Sequence, residues 1–306
     1  MSQTMRRGHD SRLVSVAVTA RRALLALATS AGWEGAVRAL PGGERIAYRL
    51  ARPYVGGARI EDALSCAHRL AAAGLASSID FFGENVDDPI AADRVADQYA
   101  ALAQGLARAP ANTFLSVDLS HIGLDQPGPA VQERLERIVA ALPAGCRIEV
   151  GAEQERRANR ILAAVLAMAR GGGAVSATVQ ANLKRSWADG QALAEAGVPI
   201  RLVKGAFLED PQVARPWGEP TDVAFLELAH GLHAGGAELA LATHDPVLRE
   251  ALLRALPGLG VEMSLGVRSA DATALARRGV PVRIYLPYGD GWFRYAMRRW
   301  AESVGR

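Results

Sequence analysis

From residue 77 onward the chain repeats one unit eight times: a short apolar or alternating run, a turn, then a helix-length amphipathic stretch. The spacing predicts strands over 77–82, 113–119, 147–150, 174–180, 199–203, 238–243, 260–265 and 282–286. Helices are predicted between them over 91–107, 130–142, 155–170, 186–196, 223–234, 246–255 and 270–277, and a last one from about Trp292. Pro287, Gly289 and Gly291 are expected to end the eighth strand. Strict alternation of this kind, over roughly the length of one large α/β domain, predicts a parallel (β/α)8 barrel of the TIM type. No Gly-x-Gly-x-x-Gly follows a strand, so a dinucleotide-binding sheet is not indicated. In such barrels the chemistry lies at the C-terminal strand ends, so functional side chains should fall at or just beyond them.

The first 76 residues read as an added helical segment packed on the barrel of 77–306. They are rich in Ala, Leu and Arg, and Pro41-Gly42-Gly43 divides them. A helix is expected over 61–73, with His68 as a packing or surface histidine. The apolar run 13–20 is interrupted by Arg21 and Arg22 and is too short to span a bilayer. It either caps the barrel, the reading adopted, or lies on a membrane surface. Half the residues are hydrophobic and 22% are charged, which supports a large core and excludes a disordered chain. Net charge is +3 and no basic tract occurs, so no nucleic-acid partner is expected. Cys66 and Cys146 lie far apart, with neither metal spacing nor a disulfide framework. A reducing, cytoplasmic setting follows, with a peripheral contact at the inner membrane surface as the variant of that reading.

The last predicted helix carries Tyr295, Arg298, Arg299 and Glu302 within reach of one face. Adjacent guanidinium groups just beyond a strand end and a glycine loop form a natural clamp for a carboxylate. The stretch Tyr285-Leu-Pro-Tyr-Gly289, followed by Tyr295-Ala-Met-Arg-Arg-Trp-Ala-Glu302, resembles the C-terminal motif of the proline dehydrogenase family. Other strand ends agree. Arg201-Leu-Val-Lys-Gly-Ala-Phe207 resembles the family's Arg-x-Val-Lys-Gly-Ala-Tyr, Ala242-Thr-His244 its Ala-Thr-His, and Gln180-Ala-Asn-Leu183 its Gln-Ala-Tyr-Leu. Phe82-Gly-Glu84 resembles its Leu-Gly-Glu. The resemblance runs from about Tyr54 to Glu302.

The resemblance implies FAD held without a covalent bond, hydride transfer from the carbon beside an amino-acid nitrogen, and electrons passed to a quinone or another acceptor. It implies Arg201 beside the reactive edge of the flavin as the catalytic cation. Ala152, Gln180, Val203, Lys204, Gly205, Ala206, Thr243 and His244 would contact the cofactor, the Lys204 loop mainly through its backbone. Arg298, Arg299, Tyr285, Tyr295 and Asp118 would surround the substrate. Thr243 or Asp245 would also cap the next helix. Glu84 would pair with an arginine at the mouth, and His121 is the other histidine near it. His121, His230, His233 and His244 form no recognisable ligand set, so no metal is expected.

Two strands depart from the family pattern. The second reads Leu115-Ser-Val-Asp-Leu-Ser120 where the family has Ser-Val-Lys-Leu. The third reads Ile148-Glu-Val-Gly-Ala-Glu153 where the family has Asp-x-Glu. The lysine–aspartate pair is lost at both ends, which is physically consistent, because removing one partner alone strands a buried charge at about 3–5 kcal/mol. Asp118 then needs Arg201, Arg298, a proton or a second substrate cation. Phe207, Asn182 and Ser264 also replace the usual family residues. Altered substrate choice is therefore expected, toward a modified or nitrogen-rich amino acid such as a hydrazine-bearing acid of specialised metabolism. Ordinary proline oxidation, and a redox-inactive barrel with a binding or regulatory role, are the competing readings.

Overall fold

A computed structural model of the chain describes residues 31–293, 295–297 and 299. Eight parallel strands close into a barrel in sequence order, β1 (Ala76–Phe81), β2 (Thr113–Val117), β3 (Ile148–Val150), β4 (Val175–Gln180), β5 (Ile200–Val203), β6 (Leu239–Ala242), β7 (Gly260–Ser264) and β8 (Val282–Tyr288), with β8 pairing back onto β1. Helices α1 (Ala31–Ala39), α2 (Gly43–Ala51) and α3 (Ile60–Ala72) precede β1. Between strands run α4 (Pro89–Gly105), α5 (Ala130–Ala140), α6 (Glu155–Arg170), α7 (Ser186–Glu195), α8 (Glu219–Ala234), α9 (Pro246–Ala255) and α10 (Ser269–Arg277). The predicted barrel and its alternation are thus present.

The period-two side-chain alternation of a strand sorts the residues into two populations. Ile79, Leu115, Val150, Val179, Leu202 and Leu241 point outward and are buried under the helices, where they form the main apolar core. The intervening positions face the barrel axis and include the polar residues Asp80, Ser116, Glu149, Thr178, Arg201 and Glu262. Two helices begin with the same device. Asp88 caps α4 by accepting from Ala91 N, and Asp245 caps α9 by accepting from Val247 N and Leu248 N, each followed by a proline at the first turn, where no N–H is needed.

Two expectations at the C-terminus change. Strand β8 does not stop before Pro287 but pairs with β1 through Tyr288. A proline fits there because β7 has already ended at Ser264, so no acceptor on that side awaits an N–H. The helix from Trp292 does not complete the outer ring either. The groove over the β1–β8 seam is filled by α3, which packs on both strands before β1 begins. Trp292, Phe293 and Ala296 instead pack on Ala47, Ala51 and Val55 of the N-terminal helices and the segment after them. Trp292 lies edge-on to Tyr48 at 5.1 Å, with Arg38 5.7 Å from its ring centroid. Residues 1–30, with the expected 13–20 helix, and Glu302 lie outside the described residues.

Trp292→Ala should therefore release the C-terminal helix while leaving the barrel folded. Hydrogen exchange of residues 292–299 is expected to accelerate at least tenfold, about 1.4 kcal/mol of local stability, with strand amides unchanged. Equal acceleration in the strands would show that the two are one cooperative unit.

Candidate active site at the barrel mouth

Arg201 stands at the centre of the barrel. Ile200 and Leu202 face the helices, so the alternation directs Arg201 inward. Its Nε lies 2.9 Å from Glu262 and its Nη1 3.7 Å from Glu149. Burial alone would weaken the guanidinium's hold on its proton; Glu149 and Glu262 more than offset that and keep it charged. In return the crowding is felt by Glu262, whose pKa is pushed up to about 8 by burial and then by Glu149. The three side chains also line a cavity of about 540 Å3 that opens at the other end of the barrel between Arg147, Glu238 and Arg283. They form the partition between the two openings.

Above this layer, Asp80 accepts hydrogen bonds from the hydroxyls of Tyr285 and Tyr99, the latter at 3.0 Å. Burial raises the Asp80 pKa to about 7, against the pull of the two tyrosines, with Glu149 adding to the rise. Tyr285 lies 5.6 Å from the Arg201 guanidinium and 6.0 Å from the Tyr295 ring. Arg299 follows, 5.2 Å from the Tyr295 ring centroid. A run of rings thus carries the C-terminal helix from the central arginine to Arg299. Arg298 lies outside the described residues.

Asp118 follows directly after β2, beside Gly151. A methyl group on Gly151 would overlap Asp118 Oδ1, so the carboxylate occupies room that exists because residue 151 has no side chain. Among the described residues the carboxylate has neither a hydrogen bond nor an ion pair; Arg201, one of the four partners open to it, pairs with Glu149 and Glu262 instead. Burial raises its pKa well above the carboxylate range, and Asp80, Glu153 and Glu84 raise it further. Glu153 is engaged elsewhere, accepting from Ser120 N at 2.8 Å and Arg157 at 2.7 Å.

The residues expected at the cofactor gather on adjoining strand ends. Val203 and Ala242 are inward-facing residues of neighbouring strands yet remain half-buried, as do Ala152 and His244, so the barrel is open above Arg201. Arg201 Nε is buried without a hydrogen bond of good geometry. Gly205, at φ 116°, lies so close to Asn182 that a side chain there would collide with it. An open lumen, a glycine loop at its rim and a fixed central cation fit a flavin. Gln180 Nε2 donates to Glu153 O at 2.8 Å, and His244 Nε2 accepts from Ser264 N at 3.0 Å. Thr243 Oγ1 accepts from Asp245 N at 3.2 Å. The Lys204 ammonium points away from the lumen, to Asp222 at 2.6 Å and Asp245 at 3.0 Å, which leaves backbone as what the 204–206 loop offers, with Ala206 exposed. His121 is part of the wall: buried, 5.4 Å from the Phe81 ring and stacked on it, 3.3 Å from the Tyr99 hydroxyl, and held neutral by burial with a pKa lowered to about 4. Glu84 is exposed in the loop after β1.

Asp80, Tyr99, Glu149 and Glu262 went unnoticed in the sequence. Three of them left a signal: Ile79-Asp-Phe81, Ile148-Glu-Val150 and Val261-Glu-Met263 each flank one charge with apolar residues, as Ile200-Arg-Leu202 does. In a strand buried on its outer face, that pattern marks the inward side. Tyr99, on α4, left none. Among the described residues no three His, Cys, Asp or Glu side chains are grouped to hold a metal.

A closed parallel barrel with a central cation and acidic and aromatic side chains at the C-terminal strand ends is a (β/α)8 enzyme with its chemistry at the mouth. A family model described as proline dehydrogenase matches residues 63–304. Proline dehydrogenase 1 of Bacillus subtilis (strain 168) is 30% identical over 260 residues, covering 82% of this chain and 86% of that protein. Proline dehydrogenase of Deinococcus radiodurans is 30% identical over 269 residues, covering 84% and 87%. The chain belongs to the proline dehydrogenase family, a family of flavin-dependent oxidoreductases. The fold is also that of proline utilization A from Bdellovibrio bacteriovorus, inactivated by N-propargylglycine, at TM-score 0.75 and 19% identity; the match covers 84% of this chain and 33% of that longer one.

Because the Asp80 pKa is raised from 3.8 to about 7, this group favours the folded flavin-free protein at low pH, and that contribution is lost as pH rises from about 4 through 7. Asp80→Asn should flatten the dependence of unfolding free energy on pH across this window by a few kcal/mol, at about 1.4 per pKa unit. Urea titrations at pH 5 and 8 measure it; an unchanged slope would show that Asp80 ionises normally.

Proposed function

We propose that the chain oxidises the C–N bond of proline or of a related, modified amino acid, using FAD held without a covalent bond and passing the electrons to a quinone or another acceptor. The single observation that carries this reading is the contact run Tyr285–Tyr295–Arg299, which ends beside Arg201. Arg299 and Arg298 hold the substrate carboxylate, and planar guanidinium forks suit it. Tyr285 and Tyr295 make the wall next to it. The C–H bond beside the nitrogen breaks as hydride, the nitrogen lone pair closes the C=N bond, and a proton leaves the nitrogen. Bound FAD supplies the two-electron acceptor. Arg201 provides fixed positive charge at the lumen centre, which costs no reorganisation when negative charge develops beside it. Gln180, with its amide nitrogen already engaged, offers Oε1 as an acceptor, and Ala152, Val203, Thr243, His244 and the 204–206 backbone complete the cofactor's surroundings.

The exchange at Asp118 and Gly151 alters the wall around the substrate amine, so the preferred substrate differs from proline. No described helix is long and apolar enough to cross a membrane. A cytoplasmic location, with peripheral contact at the membrane surface where a quinone would be met, fits this reading.

The purified protein is expected to be yellow, and its flavin bands should bleach on anaerobic addition of the right amino acid. Arg299→Ala should raise KM about 10–100-fold, the worth of a charge-assisted carboxylate pair, with a smaller change in kcat. A colourless protein that takes up no added FAD would refute the reading and favour a redox-inactive barrel. A normal KM in the Arg298→Ala, Arg299→Ala double variant would refute the clamp.

A further inference from the structure

Among the described residues, Asp118 is a carboxylate at the mouth with neither a hydrogen bond nor an ion pair. Asp80 is bonded to two tyrosines, Glu153 to an arginine and a backbone amide, and Glu149 and Glu262 to Arg201. Asp118 feels Asp80, Glu153 and Glu84, its Oδ1 lies in the space that a side chain at Gly151 would take, and no cation among the described residues forms an ion pair with it. Asp80, Glu153 and Glu84 near it share its sign, and the opposite charge of Arg201 is already divided between Glu149 and Glu262, so the cation that would pair with Asp118 is one brought from outside. It stands at the end of β2, on the rim of the same barrel end where Arg201, Tyr285 and Asp80 meet.

We propose that Asp118, in the room left by Gly151, seats a second, protonated nitrogen of the substrate, so that the enzyme selects cyclic amino acids bearing a basic nitrogen besides the one it oxidises. The inference rests on the proposed oxidation of an amino-acid C–N bond at this mouth. It also answers a chemical need. Hydride leaves only from a carbon whose neighbouring nitrogen has a free lone pair, so the nitrogen to be oxidised must be bound neutral. In a small-ring diamine two like charges repel, so at neutral pH one nitrogen carries the proton and the other stays neutral. An anion at Asp118 draws that proton to the distal nitrogen and leaves the nitrogen to be oxidised neutral. The step balances as before: the C–H bond breaks as hydride, which carries two electrons to the acceptor that bound FAD would supply, the nitrogen lone pair forms the C=N bond, and the N–H proton goes to solvent.

Piperazine-2-carboxylate and pipecolate are a matched pair of probes, six-membered cyclic amino acids that differ by one ring nitrogen. With the FAD-loaded enzyme under anaerobic conditions, kcat/KM for flavin bleaching should favour piperazine-2-carboxylate over pipecolate and over proline by at least about tenfold, equivalent to 1.4 kcal/mol. In Asp118→Asn, which is isosteric, that ratio should fall to about one, mainly through a higher KM for the diamine. The ratio for the diamine should also rise less steeply with pH than that for pipecolate. A wild-type preference for pipecolate or proline, or a preference that survives Asp118→Asn, overturns the assignment. Calorimetric binding of the two probes to the holoenzyme separates this from the activity itself. If neither bleaches the flavin yet the diamine binds tighter in an Asp118-dependent way, the seat stands and the oxidation does not. Equal binding of the two probes overturns the seat.

Discussion

The barrel depends on a buried charge that is not left alone. Arg201 sits where eight strands converge, and a single guanidinium there would cost several kcal/mol in desolvation. Glu149 from β3 and Glu262 from β7 remove that cost from opposite sides. Their mutual repulsion is in turn relieved by the arginine and, at Glu262, by a raised affinity for protons. This triad fixes a cation at the floor of the mouth and closes the lumen below it. The remaining polar side chains of the mouth are arranged above that floor, so their geometry follows from it.

The second determinant is the place of the last helix. In a simple ring the helix after β8 would cover the β8–β1 seam. Here α3 arrives first and fills that seam, so the chain after β8 crosses to the N-terminal helices. Trp292 and Phe293 are the anchors, and Tyr295 is thereby brought to Tyr285 and Phe82. Residues remote from the strand tips in sequence register become part of the mouth because another helix has taken their expected seat.

The mouth also carries a local trade between two neighbouring positions. Asp118 and Gly151 stand side by side at the ends of β2 and β3, and the acid fits because the glycine has no side chain. The familiar residue types at these positions would present a cation and its partner; this chain presents a carboxylate facing other carboxylates. In the proposed reading such a site repels the anionic part of a substrate and attracts a cationic part, while Arg299 does the opposite. A zwitterion, or an amino acid with an extra basic nitrogen, is the kind of molecule that satisfies both.

Much of this was legible in the residue order. The alternation of strand and helix determined the barrel, because each period-two run needs a covered outer face and each amphipathic helix supplies one. The motifs at the strand ends pointed to Arg201, Gln180, Thr243, His244 and Tyr285, since position after a strand already implies the mouth. The loss of partners at Asp118 and Gly151 was also visible. Only the tertiary structure decided which carboxylates hold Arg201, that Tyr99 reaches Asp80 from a helix, that Lys204 turns away to two aspartates, and that β8 runs on through Pro287. These depend on strand register and on which helix occupies which groove, and both are set by contacts between segments many residues apart, which no local pattern encodes.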